Sequence, residues 1–458
     1  MLFGYLSMAL LIGIFIRSQL RFFQKYLIPA CIIAGFIMLI LGPGLLNIIR
    51  LPPSDDIDFL VYNLLTAIFI ILGLRGFHPE QAKDKETLKN TAVITAGLSF
   101  QLVVGALLTL AVIFLLNPGL FSGFGAMLML GQGFDPTLAR FFGGFWEQDL
   151  GFPGGQSIAF AFSALGFLLS YVLGLLYIFW TRKKGLISPI PGEEQVAVQT
   201  GIVAPDEEKK SAGLITTHSH AIETLSLHLA FIGLSMLIVY GLIRVVVIFM
   251  LNNLSAGMVI VTEVLVNFNF LFGLLIGLVA RRLMLKLKIY HVVDRGLLDR
   301  ILGITVDYMV VAAITSIPLV ISQDHMWETL CFSVAGAVLI LLMVKLIMEK
   351  LYQEKNVAKQ VALFGFLTGN ISSSLALYRV LEPGLEDPFL RNLAYAGFLS
   401  LVAALPLFFI MNIAVIGRTA HIFMSAGLAA VYGAVVAFAV YFAIVKRALR
   451  ENKLQQTK

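Results

Sequence analysis

Long apolar runs with charge confined to their ends constrain this chain more than any other feature. Such runs lie at about 2–16, 27–49, 59–74, 92–116 and 154–181, and again at about 225–251, 258–280, 301–321, 329–348, 392–416 and 422–445. About 20 apolar residues in a helix cross the ~30 Å hydrocarbon core of a bilayer, where every backbone N–H and C=O must be paired within the protein. The pattern predicts an all-α polytopic membrane protein. Composition agrees: 59% hydrophobic against 13% charged residues leaves too little polar surface for a set of soluble domains. The net charge of +6 does not mark a nucleic-acid surface, because the basic residues form short clusters at the ends of the runs. Cys31 and Cys331 both fall inside predicted spans, which excludes a disulfide framework. Arg17, Arg21 and Lys25 follow the first run instead of preceding it, and no small-residue cleavage site is evident. The first run therefore reads as a short span with the N-terminus outside.

Two segments break the apolar pattern, at about 121–146 and 359–382. The second contains Leu363-Phe-Gly-Phe-Leu-Thr-Gly-Asn-Ile-Ser-Ser-Ser-Leu-Ala-Leu-Tyr-Arg379, whose hydroxyls and small residues make a poor lipid-facing helix. Charge decides how such segments run. If both are re-entrant, entering and leaving on one side, 28 of the 33 Lys and Arg residues fall on inner loops or inner span ends. If both cross, about fifteen of them move outside, against the positive-inside rule. The re-entrant topology makes 1–181 and 225–416 inverted repeats of five spans plus one re-entrant segment each, a common design of secondary transporters. Residues 182–224, with Pro189, Pro191 and Pro205, read as a cytoplasmic linker, and 417–458 as an extra C-terminal span with a cytoplasmic tail. Residues 281–300 mix bases with apolar residues and read either as a surface-lying segment or as an ordinary charged connection.

The counterpart of the Ser-rich stretch is Leu130-Gly-Gln-Gly-Phe-Asp-Pro-Thr-Leu-Ala-Arg140. Gly131 and Gly133 permit unusual backbone angles, and Pro136 cannot continue a helical hydrogen-bond ladder. If the two breaks meet at mid-membrane, half-helix N-termini face an anion while exposed carbonyls and hydroxyls hold Na⁺. Candidate substrate ligands are Gln132, Asn370, Ser373, Ser374 and Arg379. Candidate ion ligands are Gly131, Asp135, Thr368 and Ser372, with Asn63 and Asp307 added because they hold similar positions in the third spans of the two halves. Arg140 or Arg379 could clamp a carboxylate in two-point fashion or snorkel to a surface. Asp135 reads as a cation ligand, a proton carrier or the partner of Arg140. His218, His220 and His228 lack the ligand set of a zinc site. Gly131-Gln-Gly133-Phe-Asp135 does not have the spacing of an intramembrane aspartyl protease, and no enzyme motif stands out.

From Tyr26-Leu-Ile-Pro29 and Ala34-Gly35, through Gly97–Leu107 (GLSFQLVVGAL), to Thr368–Pro383 (TGNISSSLALYRVLEP), the chain resembles the bacterial sodium/glutamate symporter family. The resemblance implies two inverted five-span repeats, import of glutamate with Na⁺ as coupling ion, no organic cofactor, a homodimer with a moving transport unit, and a bacterial inner-membrane location with the C-terminus cytoplasmic. Where that family carries a Gly-Gly-His-Gly-Thr-type motif, this chain reads Gly131-Gln-Gly-Phe-Asp-Pro136. Its Ile28-Pro-Ala-Cys31 also lacks the family's acid. The expectation is a divergent, sodium-coupled importer of glutamate or a related small carboxylate. The alternatives are a proton-coupled organic-anion transporter, or a receptor or passive channel that retains the fold.

Overall fold

The computed structural model describes residues 1–26, 28–43, 45–52, 54–76, 84–134, 136–187, 213–218, 221–253, 269–317, 325–352, 355–383, 388–416 and 419–442. Asp135, the side chain of Arg140, His220, most of the 182–224 linker and the C-terminal tail lie outside them. All regular structure among the described residues is helical. Among the described residues, seven helices are long and apolar enough to cross a membrane: Leu2–Gln19, Asp56–Arg75, Lys85–Leu115, Gly155–Lys183, Thr224–Ile248, Met326–Lys350 and Thr419–Tyr441. The pair Phe389–Ala403 and Leu405–Val415, bent by 47°, is apolar enough to make an eighth if it forms one broken span and not a re-entrant loop. Pro406 accounts for the bend, since it removes the N–H that would bond the Val402 carbonyl. The architecture is that of an all-α polytopic membrane protein.

One segment differs from expectation, and another follows one of its two readings. Among the described residues of the 27–49 run, the helical ones are Ala30–Leu41, about 18 Å long. Gly42 and Pro43 end it, and Asn47 takes a positive φ of 50° in the turn that follows. The 281–300 stretch follows the second reading, a connection between two helices. One helix ends at Lys286, Lys288 adopts φ 60°, and the next helix starts at Arg295 with Asp294 as its cap, its side chain accepting from the Leu297 N–H at 2.8 Å.

The chain divides into two compact units, each drawing helices from both halves of the sequence. The first comprises 1–82, 188–317 and 382–391. It holds α1 (Leu2–Gln19), α2 (Arg21–Tyr26), α3 (Ala30–Leu41), α4 (Ser54–Arg75), α8 (Thr224–Asn253), α9 (Asn269–Lys286) and α10 (Arg295–Thr315). Here α3 packs on α1 and α10, and α4 packs on α9 and α10. The α4–α9 contact depends on small residues. A Cβ on Gly273 would stand 2.9 Å from the Thr66 carbonyl, and one on Gly73 would stand 2.7 Å from the Leu274 carbonyl. At one end of this unit, Arg75 pairs with Asp299 at 2.6 Å, and Tyr290 donates to the Leu74 carbonyl.

The second unit comprises 83–187, 318–381 and 392–458. It holds α5 (Asp84–Leu115), a π-helical turn (Leu128–Phe134), α6 (Pro136–Asp149), α7 (Gly155–Lys183) and α11 (Met326–Leu346). The remainder is α12 (Val357–Thr368), α13 (Ile371–Leu381), the bent pair α14 (Phe389–Ala403) and α15 (Leu405–Ile416), and α16 (Thr419–Tyr441). Its core rests on α5 and α7: α5 packs on α16 and α11, while α7 packs on α6, α11 and α12.

Candidate functional site

Both interrupted segments lie in the second unit, and both fold back on themselves. In the later one, Thr368 ends α12, Gly369 takes φ −131° and ψ −100°, and Ile371 begins α13. Gly365 lies directly against Ser374 and Leu377. Nine residues of straight helix would separate Gly365 from Ser374 by about 13.5 Å, so the chain reverses at Gly369–Asn370. Asn370 makes the restart possible. Its Oδ1 accepts from the Ser372 N–H at 2.8 Å and the Ser373 N–H at 3.1 Å, capping α13.

The earlier segment folds back as well, its two limbs being Leu128–Phe134 and Pro136–Asp149. Gly131 and Gly143 are twelve residues apart, yet both abut Ala159 of α7. At the open end of this hairpin, Phe121 sits 5.8 Å from Trp146 and stacks on Phe152 at 4.4 Å. Its first limb is a π-helical turn, and Pro136 opens the second, where a missing N–H costs nothing. Thr109 pins the approach to α5, accepting from the Gly125 N–H and donating to the Gly105 carbonyl, each at 2.9 Å. Only glycines fit this contact, because a Cβ on either would strike the other's carbonyl.

The two tips meet. Gly166 of α7 touches the Thr368 carbonyl of one tip and Gln132 of the other. From α5, Gln101 donates through Nε2 to the Leu367 carbonyl at 2.8 Å, while its Oε1 lies against Gly133. Gln132 donates to the Ser333 carbonyl of α11 at 3.1 Å. Gly369 in turn abuts Ser373 and Ser170.

What gathers at this junction is an excess of buried oxygen. Gln101, Gln132, Ser333, Ser372, Ser373 and Ser374 are each at most 1% exposed. Gln101 Oε1, Gln132 Oε1 and the four serine Oγ atoms have no hydrogen-bond partner among the described residues. An unsatisfied buried polar atom costs about 1–3 kcal/mol, so these six, on the two hairpins and the helices that hold them, leave hydrogen-bonding capacity open to water or to a ligand. Serine hydroxyls can donate to an anion or accept toward a cation, whereas amide oxygens only accept. The donor set, neutral and oxygen-only, suits a hard monovalent cation and a small hydrogen-bonding anion.

The structure thus brings together Gly131, Gln132, Thr368, Asn370, Ser372, Ser373 and Ser374 among the residues expected from sequence. Several have local tasks as well. Thr368 bonds back to the Phe364 carbonyl at 2.8 Å, Asn370 caps α13, and Gly131 leaves room for Phe162 and Ser163. Arg379 stands seven residues past Ser372 on α13, about 10 Å along the axis away from the tip. Asn63 and Asp307 belong to the first unit. There Asn63 bonds its own helix at the Phe59 carbonyl (2.8 Å), and Asp307 is within electrostatic reach of Arg17. Asp135 lies outside the described residues. Sequence reasoning missed Gln101, Gly166, Ser170 and Ser333. Gln101 was the visible one, an amide in the middle of an apolar run.

Comparison with protein-family models, with curated proteins and with solved structures gives no match.

Proposed function

We propose that this protein is a secondary transporter of the sodium/glutamate symporter type, importing glutamate or a related small carboxylate with Na⁺ by alternating access. One observation carries the reading: two helical hairpins in one unit meet tip to tip over buried, unpartnered oxygens. Broken helices are tolerated at membrane depth where they line a ligand cavity, and paired ones are the usual transport site of inverted-repeat proteins. The serine hydroxyls of α13 would donate to the carboxylate beside the positive end of that helix. A bound cation would offset the cost of placing an anion there.

Packing within the first unit supports the repeat. Exchanging α1 with α8, α3 with α9 and α4 with α10 turns α1–α3 into α8–α9, α3–α10 into α9–α4, and α1–α10 into α8–α4, and leaves α4–α10 unchanged. With the charge distribution, this favours hairpins entered from opposite faces, the first from outside and the second from the cytoplasm. The test is radiolabelled glutamate uptake into proteoliposomes. Accumulation under an inward Na⁺ gradient, absent under K⁺ and reduced at least ~10-fold by Ser373→Ala, is expected. Uptake indifferent to Na⁺, or none with any small carboxylate, would refute it.

A further inference from the structure

The two buried glutamines at the tip junction are held in the same unusual way. Each gives its Nε2 donor to a backbone carbonyl, Gln101 to Leu367 and Gln132 to Ser333. Each leaves its Oε1 acceptor buried and, among the described residues, unpaired. The tether fixes which end of the amide faces the junction. Flipping either group would bring amide oxygen against carbonyl oxygen and lose the one hydrogen bond it makes. Gln132 belongs to the first hairpin, and Gln101 approaches it from α5, its Oε1 resting against Gly133, the next residue along the chain from Gln132. An oriented amide oxygen is a fixed negative dipole end. Two of them at one tip repel a carboxylate and attract a cation, and at full burial neither can turn to water.

We infer that Gln101 and Gln132 are paired ligands of a hard monovalent cation, bound through their amide oxygens at the first hairpin tip. Gln132 accordingly serves the ion and not the substrate, which is left to the serine hydroxyls of α13. Gln101 joins the site from outside both hairpins, so the ion couples α5 and both tips. The site deepens the transporter reading and rests on it for the use made of the ion.

Thermal unfolding of the purified full chain in detergent tests the site without any substrate. NaCl titrated against choline chloride at constant ionic strength should raise the wild-type midpoint saturably, because a ligand that binds only the folded state stabilises it. Gln101→Asn and Gln132→Asn, which withdraw the oxygen by one methylene, should weaken the half-saturating Na⁺ concentration at least ~10-fold. Gln101→Leu and Gln132→Leu should abolish the response. The control is Gln360→Asn, a buried glutamine whose Oε1 already accepts from Tyr177 at 2.7 Å, and it should keep the wild-type titration. Folded Asn and Leu variants with an unchanged Na⁺ titration would overturn the assignment. So would carboxylate uptake by a wild-type protein that shows no Na⁺ response. A Na⁺ response lost in these variants, in a protein that takes up no carboxylate, would uphold the cation site and remove the substrate reading.

Discussion

Gly166→Ala adds one methyl group where α7 touches both hairpin tips. The new Cβ would stand 2.9 Å from Gln132 Cγ and 3.3 Å from Gln132 Cα, short of the 3.4 Å at which ordinary contact begins. It would also collide with the Thr368 carbonyl, a backbone atom that cannot rotate aside. The tips must separate by several tenths of an ångström or α7 must retreat. Overpacking of this kind costs about 1–3 kcal/mol. If the cost falls on the ion-bound arrangement, Na⁺ affinity drops ~5- to ~150-fold. Gly427→Ala on α16 is the matched control, since its Cβ meets nothing within 4 Å. There the gain in helix propensity should leave the protein unchanged or up to ~1 kcal/mol more stable. Both variants would be titrated with Na⁺ by thermal unfolding and then assayed for uptake. Wild-type Na⁺ dependence in Gly166→Ala, with stability no lower than Gly427→Ala, would refute the tip-to-tip contact.

Lys359, at the start of α12, pairs with Glu86 of α5 at 2.5 Å, and Asn392 of α14 donates to the second Glu86 oxygen at 3.1 Å. Both charged side chains are largely buried, so Lys359→Met should destabilise by about 3 kcal/mol, with part recovered in the Lys359→Met/Glu86→Leu double variant, as read by thermal unfolding. Asn370→Ala removes the α13 cap and should cost about 1 kcal/mol, whereas Asn370→Asp should hold stability near wild type; equal losses in both would place the residue's importance elsewhere. Outside the membrane helices, the Ser226 N–H donates to Glu223 at 2.6 Å, and the backbone hydrogen bonds from Ser226 and Leu225 hold that carboxyl below its ordinary range. Its contribution to stability is therefore present above the unfolded carboxylate pKa and lost as pH falls through the lower folded value. The midpoint difference between wild type and Glu223→Gln should shrink on acidification from about pH 6 to pH 3; a difference that grows would contradict the sign.

Much of the site is legible in the sequence because helix breaks announce themselves locally. Thr368-Gly-Asn370 and Gly133-Phe-Asp-Pro136 cannot sustain a lipid-facing helix whatever surrounds them. The Gly42-Pro43 stop inside the 27–49 run was equally local, but hydropathy outweighed it. What surrounds the tips is another matter. Gly166, Ser170 and Ser333 are small residues in apolar helices, and nothing in their neighbours distinguishes a packing glycine from one that touches two tips. Gln101 could have been found, since a lone amide at mid-span needs partners. Pairing Asn63 with Asp307 followed from equal positions in the two halves, yet both lie on helices of the first unit, whereas the residues that form the junction belong to the second. Chain order reports repeats; only packing reports which repeat elements share a unit.

The reversal at Gly369–Asn370 can be measured directly with a cysteine pair, Gly365→Cys with Ser374→Cys, in a Cys31→Ser/Cys331→Ser background. A Cβ at 365 lies 3.0 Å from the Ser374 Cα, which puts the two Cβ atoms within disulfide reach, at most ~4.5 Å apart. In a span that crossed without folding back, the two residues would be about 13.5 Å apart and could not be bridged. Copper-phenanthroline oxidation, followed by denaturing alkylation and mass measurement, counts the thiols that remain. Loss of both thiols in monomeric chain, with each single-cysteine variant still fully alkylated, is the predicted result. Two free thiols in the folded double variant would contradict the hairpin and, with it, the shared site.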